Sequence, residues 1–67
     1  MSADDWVVCC PGDPTDAQWA MIIGRANGRR FCAEQWNAST GDVRFTVDGA
    51  GAERSYTVAP NGVVSNR

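Results

Sequence analysis

The sequence predicts a mainly β domain, a small antiparallel meander of five to six short strands curled into a sheet or small barrel. Three observations predict it. Two alternating segments in the last third are joined by a short loop, an Asn27-Gly28 pair sits in the middle, and Trp6-Val7-Val8-Cys9-Cys10 is a compact apolar run. A second reading is α+β, with one short helix at about 15–24 on a four-stranded antiparallel sheet.

In chain order, the run from Trp6 to Cys10 reads as a first strand buried on both faces, stopped by Pro11-Gly12-Asp13-Pro14. The next segment supports both architectures. A type I′ turn at Asn27-Gly28 makes a hairpin that pairs Ala26 with Arg29, Ile23 with Cys32 and Trp19 with Trp36. Alternatively Thr15-Asp16-Ala17-Gln18 is a capping box, with Thr15 as N-cap and Gln18 reaching back to its backbone N–H. Trp19, Ile22 and Ile23 then follow at helical spacing, and Gly24 could end the helix. The hairpin is the leading reading and the helix its alternative.

Arg30 to Trp36 forms a strand in either case, and Asn37-Ala38-Ser39-Thr40-Gly41 forms a turn. Val43, Phe45 and Val47 then alternate with Arg44 and Thr46, the period of a half-buried strand. Arg54 to Ala59 alternates again. Setting Asp48 opposite Glu53 places Phe45 against Tyr56 and Val43 against Val58 on one face, with Thr46 by Ser55 and Arg44 by Thr57 on the other. A one-residue slip would scramble that separation. Pro60-Asn61-Gly62 is a turn, and Val63-Val64 can add a short final strand.

The 67 residues make one small domain, covering 1–67, with 43% apolar content and six aromatic side chains able to bury large areas. At this size a single core supplies roughly 3–5 kcal/mol of net stability. No apolar stretch approaches the ~20 residues of a membrane span. Acidic residues and no Arg precede Arg25, unlike a basic secretion leader, so a cytoplasmic protein is expected. On that expectation the sequon Asn37-Ala38-Ser39 is chance.

The chemistry is narrowed by what the chain lacks. It contains no His and no Lys, which removes the commonest general base, the usual partner of a nucleophilic Ser or Cys, and Schiff-base chemistry. No phosphate loop or dinucleotide fingerprint occurs. The acidic pairs Asp4 with Asp5 and Asp13 with Asp16 read as solvated or turn-capping groups. So short a chain also has little room for a walled site of ~300 Å³ or more. No catalytic residue and no cofactor is assigned, and the protein is read as not an enzyme. Cys9, Cys10 and Cys32 lack zinc spacing and a fourth Cys or His, so no metal is expected. They read as small buried hydrophobes, with a disulfide from Cys32 to Cys9 or Cys10 as the competing assignment.

The net charge of −2 argues against a general nucleic-acid binder, because phosphate contacts need an excess of cations. Arg25, Arg29 and Arg30 nevertheless cluster around Asn27-Gly28. On a hairpin tip they would suit carboxylates or phosphates, with the bland reading a solvated turn. Trp6 and Trp19 read as core and Trp36 as partly exposed. Trp36 with the arginine tip is therefore the candidate contact surface. The leading functional expectation is a small protein-interaction module that occupies a surface of a larger partner. By size and composition alone it is similar to small phage or mobile-element inhibitors such as anti-CRISPR proteins. The alternatives are a nucleic-acid-binding β-domain using the arginine tip, and self-association as a homodimer through an open sheet edge.

Overall fold

The computed structural model describes residues 5–49 and 51–66; Asp4, half of one acidic pair noted above, lies outside them. Five strands form one antiparallel sheet in sequential order: β1 (Trp6–Val8), β2 (Phe31–Asn37), β3 (Val43–Asp48), β4 (Glu53–Val58) and β5 (Val64–Asn66). One helix, α1 (Asp16–Ala26), leaves β1 and returns into β2 across one face. The protein is therefore mainly β with one short helix, the α+β form of the prediction, with five strands rather than four.

The central hairpin follows the alternation of the sequence. Val43 pairs with Val58, Phe45 with Tyr56, and Asp48 with Glu53, the register expected from keeping both apolar sets on one face. Val43, Phe45, Val47 and Val58 are buried, and with Ile22 and Ala26 of α1 they make the core. The core thus lies between the helix and the middle of the sheet. The opposite face carries Thr46, Ser55 and Thr57 and faces solvent, as antiparallel sheets commonly do.

The Asn27-Gly28 hairpin does not form. Thr15 caps α1 with both capping-box bonds present, and the helix continues past Gly24 to Ala26. Gln18, Ile22 and Ala26 are its buried stripe, four residues apart. The Asn-Gly signal marks real local chemistry with a different outcome. A type I′ turn needs positive φ at both central residues, and Asn27 (φ 50) and Gly28 (φ 83) both have it. Here those angles end a helix: the Asn27 N–H donates to Ile23 O (3.1 Å) and the Arg29 N–H to Ala26 O (2.9 Å). The burial offered to Ile22 and Ala26, unavailable to a free hairpin, decides between two uses of the same dipeptide. Asn27→Val should lose about 1–2 kcal/mol in urea denaturation, because a β-branched residue resists the left-handed region. Asn27→Gly should be neutral within a few tenths of a kcal/mol.

The first strand also differs from expectation. It is not buried on both faces: Val7 is 44% and Val8 81% exposed, because β1 is the outer strand of the sheet. Trp6 lies away from the helix, against the half-buried Arg44, whose guanidinium carbon stands 3.8 Å above the ring. Arg44 also donates to Gln35 Oε1 (3.0 Å). Its Nε is removed from solvent and has no hydrogen-bond partner among the described residues. The stacked ring and the Gln35 bond offset that cost. Trp6 therefore covers the outer face and does not belong to the core, whereas Trp19 and Trp36 pack against the core from the helix side.

Trp36 reaches that side through an irregularity. The β2–β3 register shifts between Ala33 and Gln35, leaving Glu34 as an extra residue. Before the bulge, Phe31 and Ala33 lie opposite Val47 and Phe45; after it, Trp36 lies opposite Val43. One inserted residue exchanges the faces of all that follow. The turn after β2 is held by Asn37, 3% exposed, whose Oδ1 accepts from the N–H groups of Ser39 (2.8 Å) and Thr40 (2.9 Å). Ser39 also donates its hydroxyl to Asp5. The side chain of the sequon asparagine is thus buried, and its oxygen holds the turn.

Candidate functional site

A cleft of about 210 Å³ is lined by Cys9, Cys10, Pro11, Trp19, Phe31 and Ala33. Its walls are built by three local events. The N-cap at Thr15 sets α1 so that Trp19 lies one residue beyond the buried Gln18 and faces β2. Ahead of the bulge, Phe31 and Ala33 are held on the helix side. The third wall is the chain leaving β1. The Cys9 N–H still bonds Glu34 O (3.2 Å), but the Cys10 N–H turns to Asp13 Oδ2 (2.8 Å) and Cys10 O accepts the Asp13 N–H (3.0 Å). That turn, with Pro11 unable to donate, peels the chain off β2.

Around the cleft the surface stays apolar: Phe31 is 42% exposed and Ile23, one turn along α1 from Trp19, is 57% exposed. The sequence marks neither as a contact residue, and it sets Ile23 with Trp19 and Ile22 at apolar helical spacing. Their exposure depends on which strand covers β2, and no local pattern encodes that. At ~300 Å³ and upward for sites of drug-sized molecules, the cleft is too small for such a ligand and suits one or two side chains.

The three cysteines are free thiols. Cys10 and Cys32 are exposed, so the expectation of buried small hydrophobes holds only in part and for Cys9, which is half-buried. Cys9 and Cys10 line the cleft on the helix side. Cys32 lies between Phe31 and Ala33 and so projects from the other face of the sheet. No bridge links Cys32 to either partner. Burial pushes the Cys9 thiol above its ordinary range, helped by Asp13, Cys10 and Cys32 nearby. Because the thiolate is the nucleophile, iodoacetamide at neutral pH should label Cys10 and Cys32 within the time that leaves Cys9 largely intact. Equal labelling of all three, followed by peptide mass mapping, would contradict this placement. Among the described residues no group of three or more His, Cys, Asp or Glu comes together as a metal site.

The sequence-predicted surface is dispersed. Arg25, Arg29 and Arg30 are all exposed, but they surround the end of α1 instead of a hairpin tip. Arg25 stands over the Tyr56 ring at 5.3 Å, on the β4 side of the helix. Arg29 and Arg30 lead into β2 and directly precede Phe31, which lines the cleft. Trp36 lies six residues further along β2, about 20 Å away at ~3.3 Å per residue. It is half-buried against the core. The arginines and Trp36 therefore do not share one surface. No protein family, curated protein or solved structure matches this chain.

Proposed function

We propose that this domain is a non-catalytic protein-interaction module, working in the cytosol by occupying a surface of a larger partner through the cleft between α1 and β2. The observation that carries the reading is the continuity of the cleft with Ile23 and Phe31, exposed at 57% and 42% on a domain with few large side chains to spare. Contiguous apolar surface on a small monomer marks contact sites more often than isolated exposed residues do. Trp19 in its wall, and the exposed Arg29 and Arg30 just ahead of Phe31 in the chain, supply the residue types enriched at interface hot spots. An inhibitor that masks its target's surface is one form this activity takes.

The test is affinity capture from the lysate of the native host, comparing the natural chain with an Ile23→Asp, Phe31→Ser variant. Both positions are exposed, so the fold should persist, as far-UV circular dichroism would check. A partner retained through nuclease treatment by the natural chain and lost by the variant supports the reading. A partner held equally by both would place the contact elsewhere. Recovery that disappears with nuclease would move the function to nucleic acid and the three arginines.

A further inference from the structure

We infer that the outer edge of β2 between Phe31 and Ala33 accepts an extended peptide strand, whose apolar side chain fills the cleft and whose following carboxylate meets Arg29 and Arg30. The inference rests on the cleft being the contact surface and adds the mode of binding and the chemistry of the ligand.

The backbone carries the argument. β1 pairs with β2 only at Gln35, Trp36 and Asn37, and the Cys9 N–H adds one bond at Glu34. Beyond it the chain is peeled away by the Cys10–Asp13 turn. The remaining part of β2 has β3 on one side and, among the described residues, no strand on the other. Hydrogen-bonded and non-bonded pairs alternate along an antiparallel ladder. Asp48 N–H donates to Arg30 O (2.9 Å), so Arg30 and, two residues on, Cys32 turn their backbone groups toward β3. Phe31 and Ala33 must then turn theirs outward. Among the described residues no backbone bond meets them there. An extended chain satisfies such a row of donors and acceptors directly.

The side chains select which chain. A strand continuing in the lane that β1 vacates would run antiparallel to β2, with alternate residues over the cleft. About 210 Å³ of apolar volume receives one or two of them. Running this way, the peptide's C-terminal end arrives beside Arg30 and Arg29, which are exposed. A carboxylate there completes the contact, from an acidic side chain or from a chain terminus.

The test titrates the full-length ¹⁵N-labelled protein with the peptide Ser-Val-Thr-Leu-Asp-Asp, with free and amidated C-termini to separate the two carboxylate sources. Binding should slow hydrogen exchange at the Phe31 and Ala33 amides while leaving Cys32, already bonded to β3, unchanged. N-methylation of the Leu amide or the Thr amide, whichever faces β2, should weaken binding by roughly tenfold. Arg29→Ala with Arg30→Ala should weaken it by roughly three- to tenfold at low salt and less at high salt. Shifts at Trp19 and Ile23 with no added amide protection and no effect of N-methylation would overturn strand addition while leaving the cleft as the contact surface. Failure to bind the peptide, with a lysate partner still lost on altering Ile23 and Phe31, would do the same. Protection of Phe31 and Ala33 that grows with protein concentration alone would replace the peptide by a second copy of this chain.

Discussion

Gln18→Glu is expected to unfold this domain, although in the sequence it is the mildest exchange available. Glu serves as well as Gln at the third position of a capping box. The structure asks more of the side chain. Gln18 is fully buried, and while its Oε1 accepts from the Thr15 N–H (2.9 Å), its Nε2 donates to Gly41 O (2.7 Å) and Val58 O (3.1 Å). One amide thus ties the start of α1 to the β2–β3 turn and to the end of β4. A carboxylate keeps the cap, removes both donors and sets negative charge against two carbonyl oxygens out of water. Losing two buried bonds at about 1–3 kcal/mol each reaches the whole ~3–5 kcal/mol available to a core of this size. Thr15→Ala, which removes the cap and a long, exposed hydroxyl bond to Pro60 O (3.4 Å), should cost about 1 kcal/mol. Urea titrations followed by tryptophan fluorescence would compare the two. A Gln18→Glu midpoint at or above that of the natural chain would mean that the carbonyl bonds contribute nothing.

Phe45→Ala should be as severe by a different route. Phe45 is fully buried at the centre of β3, between Ala33 and Tyr56, with its ring stacked on Tyr56 at 5.4 Å and 28°. Tyr56 in turn underlies Arg25 in the last turn of α1. Truncation removes about 3–5 kcal/mol of packing and leaves a cavity beneath the helix. Phe45→Leu, which keeps most of the volume, should lose less than about 2 kcal/mol and still unfold in one cooperative step. If the Ala variant also unfolds cooperatively with a midpoint close to that of the Leu variant, the core does not centre on this ring.

How far the site could be read in advance depends on which contacts are local. Arg29 and Arg30, which the sequence offers as part of a contact surface, are exposed and directly precede the cleft residue Phe31. Their proposed companion Trp36 was not brought to them, because a strand separates what a hairpin would have placed side by side. Ile23 and Phe31 carried no mark as contact residues, since an exposed apolar residue looks the same in sequence as a buried one. The cleft itself arises from a missing stretch of strand pairing. Only the distance that β1 travels along β2 before Pro11 turns it away creates that gap.

The sequence by itself determined the β3–β4 hairpin down to its register and the turn at 37–41, and it offered the capping box at Thr15 as one of two readings. Each of these is settled within a few residues, by period-two alternation or by a side chain bonding its own backbone. Tertiary structure alone decided the rest. It chose helix over hairpin at 16–26, because Asn27-Gly28 takes positive φ in both and only burial of Ile22 and Ala26 separates them. It placed Trp6 on the outer face beside Arg44, moved Trp36 to the helix side through the bulge at Glu34, and left the edge of β2 open. Those outcomes turn on which surfaces meet across the fold, and the free energy that settles them belongs to contacts between segments far apart in the chain.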